Sequence, residues 1–163
     1  MALRIVGIGT AVPKYSISQA DAAEASKRFC YAADEQLRLI PALYRRSGVS
    51  RRHSVLLEAP AGDPFERQSF YSKVTGESDS GPTTLDRMNI YEREAPPLAL
   101  HAAREAVADA GVDPTSITHV VTVSCTGFHA PGIDASLIED LGLRRTVERT
   151  HVGFMGCHGA LNG

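Results

Sequence analysis

The run Gly153-Phe154-Met155-Gly156-Cys157-His158-Gly159 places one thiol among three glycines. A cysteine that attacks a carbonyl carbon has to stand out on a tight turn, and small neighbours allow both the bend and the close approach of a substrate. The run follows residues 147–152, which read as a further strand, and a helix is expected to begin at about Cys157. Unpaired N–H groups and the positive dipole end at such a helix start favour a thiolate over a thiol. The alternative is a buried cysteine that acts only as a small hydrophobe. Local sequence leaves both open.

A reactive thiolate also needs a base or a charge-stabilising partner, usually histidine. His53, His101, His119, His129, His151 and His158 are available. His158 is adjacent to Cys157, but neighbours at a helix start point in different directions, and cysteine enzymes draw their partner from a distant part of the chain. His101 and His119 fit a solvated helix face and a strand end, and His129 lies in a loop beside Pro131-Gly132. No convincing dyad is complete. The three cysteines, Cys30, Cys125 and Cys157, are widely spaced and odd in number, which suggests neither a disulfide framework nor a zinc cluster. Between Gln36 and Leu57 stand Arg38, Arg45, Arg46, Arg51 and Arg52 with no acidic residue. This is either a solvated helix end and loop or a site for phosphate oxygens, to which guanidinium forks are suited.

The elements that must position these groups follow from periodicity. Residues 3–9 form a short β-branched run closed by glycine and Pro13, which predicts a buried strand. Ser18 with Asp21 gives an approximate capping box for an alanine-rich helix to about Cys30. A second helix is predicted over 34–47, with Leu37, Ile40 and Tyr44 on one stripe, Gly48 at its end and a kink or break at Pro41. Residues 59–83 are rich in proline, glycine, serine and threonine and predict a long loop. A helical pattern resumes at Thr84, is interrupted by Pro96-Pro97, and continues through the small stripe Ala99, Ala102, Ala103, Ala106, Val107 and Ala110 to Gly111. A central parallel strand buried on both faces is expected over 117–124. A helix is expected over 132–141, with Leu137, Ile138 and Leu141 inward and Gly142 at its end. Strands alternating with helices predict an α/β architecture with a mixed or largely parallel sheet layered with helices.

With 163 residues, 43% hydrophobic and 22% charged at a formal charge of −2, the chain fits one globular domain and excludes an intrinsically disordered one. No stretch approaches the roughly 20 apolar residues that cross a bilayer. The N-terminus lacks the pattern of a signal peptide, so a cytoplasmic protein without membrane association is expected. A nucleic-acid partner would call for a basic domain, and this one is slightly acidic.

Thr118-His119, the strand after it, Thr126-Gly127, Pro131-Gly132, Asp134, Leu137, Leu141-Gly142-Leu143-Arg144, Val147, Arg149 and Phe154-Met155-Gly156-Cys157 resemble the nucleophile region of type III polyketide synthases, the chalcone synthase family. The opening Ile5-Val6-Gly7-Ile8-Gly9-Thr10-Ala11-Val12-Pro13 is similar to that family's first strand and turn. The resemblance runs in order over nearly the whole chain and is most specific over 117–163. It implies a thiolase-like fold, a homodimer, and Cys157 as the residue that accepts an acyl group from a coenzyme A thioester before extension by decarboxylated malonyl-CoA. The donors to the enolate and oxyanions, a histidine and an asparagine, belong to the C-terminal half in that family, so residues 1–163 are expected to be an N-terminal domain truncated shortly after the nucleophile and inactive alone.

The same resemblance assigns Arg46 and Arg52 to a basic lip for the coenzyme A nucleotide. It assigns Ser124, Cys125 and Thr126 to the wall of the starter pocket. Ala130 stands where plant members place a methionine, and Cys30 is read as structural. No metal or redox cofactor is implied. A ketoacyl synthase III of fatty-acid synthesis, which shares the fold and the cysteine, and a non-catalytic dimerising half-domain are the alternatives.

Overall fold

The computed structural model describes residues 4–29 and 31–161. Cys30 lies outside the described residues. The chain divides into two compact units, one built from the described residues of Met1–Ala11 and Leu85–Gly163, the other from Val12–Thr84.

In the Val12–Thr84 unit, strand β1 (Ser16–Ser18) pairs antiparallel with β2 (Arg51–His53) in the register Ile17↔Arg52. Neither strand was expected, because three mostly polar residues carry no readable alternation. Helix α1 (Gln19–Phe29) starts at once after β1. Ser18 Oγ accepts from the Asp21 N–H at 3.0 Å and donates to the Asp21 carboxylate at 2.7 Å. The expected cap is therefore present, but the short aspartate closes on the hydroxyl instead of reaching back to the backbone as a glutamate would. Ala23 and Ala25 are buried with Ile17 and Leu57 as the small core of this unit.

Helix α2 (Asp34–Arg46) runs unbroken through Pro41, which corrects the expected break. Pro41 removes one N–H and frees the Leu37 carbonyl. The half-buried stripe of Leu37, Ile40 and Tyr44, and a cap in which the Ala33 N–H donates to Gln36 Oε1 at 3.2 Å, sustain the helix across that gap. Gly48, at φ +70°, ends it as expected. Residues 59–83 are irregular, as predicted, yet they fold onto a charged anchor. Arg67 is only 7% exposed, and its guanidinium donates to the carbonyls of Ala59 and Ser16, both at 2.9 Å. Phe65 and Tyr71 bring their ring centroids to 5.2 and 5.0 Å from that of Phe29.

In the other unit, helix α3 (Thr84–Ala110) passes through Pro96 and Pro97 without interruption. The two prolines release the carbonyls of Glu92 and Arg93, and half-buried residues such as Ala95, Ala99, Ala102 and Ala103 flank them on either side. The expected buried strand over 3–9 is not found among the described residues. Ile5, Val6 and Ile8 are exposed, Ile5 by 74%, and no neighbouring strand pairs with the segment. Instead the Ile8 N–H donates to Asp109 Oδ2 at 3.0 Å and the Thr10 N–H to Glu105 Oε2 at 3.1 Å, so carboxylates of α3 replace a ladder. Gly7 and Gly9 let the segment lie directly on the alanine stripe.

A short 3-10 turn (Pro114–Ser116) capped by Asp113 leads to β3 (His119–Ser124), parallel to β4 (Glu148–Gly153) in the register Thr122↔His151 and Ser124↔Gly153. β4 lies one residue later than predicted. β3 is not buried on both faces. Thr122 is buried while Val121, on the opposite face, is 49% exposed, because among the described residues nothing covers that face. Helix α4 (Ile133–Asp140) ends before Gly142 at φ +69°, with Leu137 buried beside Leu143 and Val147. Residues Cys157–Leu161 form a 3-10 helix, at the place where a helix is expected to begin. No helix of the described residues is long and apolar enough to cross a membrane.

Candidate active site

The parallel pair β3–β4 sets the site. Both strands run in one direction, so their C-terminal ends, Ser124 and Gly153, finish side by side. Beyond Gly153 the chain turns through Phe154 at φ +58° and Gly156 at φ +66°, and Cys157 follows as the first residue of the 3-10 helix. The glycine meets this conformation without cost, whereas phenylalanine rarely adopts it.

Behind Cys157, buried Gly159 seats the short helix on the strands. A β-carbon there would lie 3.4 Å from Val123 Cγ1 and 3.8 Å from Val152 Cγ1. The Gly159 N–H donates to the Gly156 carbonyl at 3.1 Å, and His158 Nδ1 donates to the Met155 carbonyl at 2.7 Å. The thiol of Cys157 is exposed. The outcome for local sequence is that Cys157 is not the buried structural cysteine of the alternative reading.

Ser124 is half-buried at the end of β3, and Cys125 and Thr126 are exposed just beyond it. These three therefore leave the sheet at the same end as Cys157. Arg46 and Arg52 belong to the other unit. Arg46 is the last residue of α2 and exposed. Arg52, on β2, donates from Nε to Gln19 Oε1 at 2.8 Å, with its guanidinium carbon 5.3 Å from the centroid of the Tyr44 ring. Gln19 is buried and also donates to the Tyr44 carbonyl at 2.8 Å and Ser47 Oγ at 2.7 Å. One glutamine thus ties α1, the end of α2 and the arginine together, and a polar residue at a helix start gave no sequence signal for this.

The histidines are engaged elsewhere. His53 bonds the Pro13 carbonyl, His101 meets Glu105, His119 meets Glu148 and Thr118, and His151 shares a 2.9 Å hydrogen bond with Thr122. His129 lines a cavity of about 210 Å³ with Tyr91, Asp134 and His151, and its Nε2 is buried without a hydrogen-bond partner among the described residues. Among the described residues no histidine bonds Cys157, and no cluster of metal-ligating side chains is present. Among the described residues, what the geometry supplies is the exposed thiol of Cys157 on a shaped turn, with no histidine bonded to it.

A family model for the N-terminal domain of chalcone and stilbene synthases matches residues 2–163, and the chain belongs to that family. It is 31% identical over 160 residues to the alpha-pyrone synthesis polyketide synthase-like Pks18 of Mycobacterium tuberculosis, covering 97% of this chain and 37% of that protein. It is 32% identical over 159 residues to the 3,5-dihydroxyphenylacetyl-CoA synthase of Streptomyces toyocaensis, covering 98% and 35%. Among solved structures it superposes on the C-terminal type III polyketide synthase domain of Steely1 from Dictyostelium with a TM-score of 0.76 at 28% identity, covering 97% of this chain and 40% of that one. A fungal type III polyketide synthase gives a TM-score of 0.73 at 28% identity, covering 99% and 39%. The fold is thus α/β and thiolase-like, as expected, and the chain spans well under half the length of these relatives.

Proposed function

We propose that this chain supplies the nucleophile-bearing part of a type III polyketide synthase that loads an acyl-CoA starter on Cys157 and extends it by decarboxylative Claisen condensation with malonyl-CoA. The observation that carries this reading is the exposed Cys157 on a glycine turn after a parallel strand, in a chain of the chalcone synthase family. A thiolate both captures an acyl group from a thioester and releases it to a carbanion, so one sulfur serves loading and condensation.

In this reading Ser124, Cys125 and Thr126 shape the starter pocket, and Arg46 and Arg52 hold the coenzyme A phosphates. No metal or redox cofactor takes part, and the working assembly is a homodimer. Among the described residues no histidine bonds Cys157, which fits a design in which a histidine and an asparagine from the remaining length found in the relatives stabilise the enolate and oxyanions. Residues 1–163 alone are then inactive in condensation.

The test is product formation from labelled malonyl-CoA and an acyl-CoA by a polypeptide that carries this chain together with that remaining length. Extension from free malonyl-CoA, abolished by Cys157→Ala, supports the reading. Extension only from malonyl carried on acyl carrier protein would replace it with a ketoacyl synthase III. Turnover that survives Cys157→Ala would overturn it.

A further inference from the structure

We infer that Phe128 and Phe154 form a positioning pair that holds the turn presenting Cys157. The inference rests on Cys157 being the nucleophile and adds what keeps it in place. Phe154 sits at φ +58°, a region that a bulky side chain occupies only where its surroundings over-determine it. Both ends of the turn are anchored. Gly153 is held in register with Ser124, and Gly159 is seated against Val123 and Val152.

The residue that carries the strain has a contact of its own. The Phe154 ring lies with its centroid 5.5 Å from that of Phe128, at an interplanar angle of 54°. This is within the range in which aromatic pairs attract beyond simple burial. Phe128 is held in turn from its backbone, whose N–H donates to Met88 Sδ on α3 at 3.4 Å. A chain of contacts therefore leads from α3 through the loop after β3 to the residue three positions before the thiol.

Neither ring is buried, Phe154 being 70% exposed. Removing one therefore opens no core cavity, and a loss on substitution reports the contact itself. Two facts set the turn, the strained backbone of Phe154 and the ring that opposes its relaxation. With the ring removed, the backbone is free to return to negative φ, which turns the Gly156–Cys157 peptide away from the strand ends.

The experiment measures the rate of iodoacetamide alkylation of Cys157 by peptide mass spectrometry, normalised to the rate in the same protein unfolded in urea. It compares the wild type with Phe128→Ala, Phe154→Ala, the double variant and Phe154→Tyr, each checked for folding by circular dichroism. The expected result is a normalised rate roughly three- to tenfold lower in each alanine variant, the range set by the strength of an aromatic pair. The double variant should be no slower than the slower single, and Phe154→Tyr should retain the wild-type rate.

Folded alanine variants within twofold of wild type, or effects that add in the double variant, would overturn the pairing. Should the alanine variants fail to fold, Phe128→Leu and Phe154→Leu, which keep apolar volume without a ring, decide on the same criteria. Alkylation effects as expected in a protein whose Cys157 takes no acyl group would retain the pair and refute the nucleophile.

Discussion

Gly9 rests against the Ala102 carbonyl oxygen so closely that any β-carbon on it would collide with that atom. The N-terminal segment therefore meets α3 backbone to backbone, and its amides are satisfied by Glu105 and Asp109 of the same helix.

Gly9→Ala is expected to lever the segment off the helix and to cost about 1–3 kcal/mol, as overpacking usually does. Urea unfolding measures the cost, and faster amide exchange at Ile8 and Thr10 locates it. Gly76→Ala is the control. No atom outside its chain neighbours lies within 4 Å of a β-carbon there, and its backbone is not in the left-handed region, so a change below about 0.5 kcal/mol is expected.

Arg67 is buried against two carbonyls rather than a carboxylate. Arg67→Met is expected to destabilise the Val12–Thr84 unit by about 2–4 kcal/mol, since the carbonyls of Ala59 and Ser16 lose charge-assisted donors. Arg67→Lys should recover less than half of that, because a single ammonium cannot span both acceptors as a planar fork does. Thermal or urea unfolding of the two variants distinguishes fork geometry from charge alone.

The Thr10 N–H, then the His101 side chain, hold the Glu105 carboxyl below its ordinary 4.5. A carboxylate lowered in the folded state stabilises fully above its unfolded value, and that stability is lost as pH falls through the folded value. The urea midpoint should therefore drop as pH falls below about 4.5, and Glu105→Gln should make that drop shallower. An equally steep acid loss in Glu105→Gln would show that this contact does not contribute. Asp63, lowered chiefly by the Glu66 N–H and also by the Phe65 N–H and Arg28, acts in the same direction in the other unit.

In the basic run Arg52 is seated against Gln19 and Tyr44, as its neighbour Arg51 is against Ser16 Oγ. Arg52→Gln is expected to weaken coenzyme A binding by roughly threefold at low salt, the scale of an exposed ion pair, with the difference shrinking at high salt. Isothermal titration at two ionic strengths measures it. An effect that does not change with salt would assign Arg52 to the packing of β2 on α1 and not to the nucleotide.

Sequence patterns carried the helices and their ends well. The alanine stripe, the glycine stops at Gly48 and Gly142 and the small residues around Cys157 all act locally, where spacing is informative. The prolines of α2 and α3 misled, because a break is a local tendency that packing along the helix can override, as the stripe Leu37, Ile40 and Tyr44 does in α2. The 3–9 run misled for the opposite reason. Its β-branched composition is that of a strand, but a strand needs a partner, and the glycines within it instead seat it on a helix.

Of the candidate site, the glycine turn that leaves Cys157 exposed was legible, because small residues at that spacing permit the bend. The contacts of Gln19, Arg67 and Phe154 were not, since each depends on residues far away in the chain. At Cys157 the expected helix start is present, as a 3-10 helix over Cys157–Leu161.

Acylation of Cys157 tests the central claim most directly. The protein, in a polypeptide carrying the remaining length found in its relatives, is incubated with an acyl-CoA, and the intact mass and digested peptides are compared with those of Cys157→Ser. The expected result is one added acyl mass, located on the peptide that contains Cys157 and absent in Cys157→Ser. An acyl group found on Cys125 instead, or a Cys157 that stays unmodified while the thiol reacts with iodoacetamide, would contradict it.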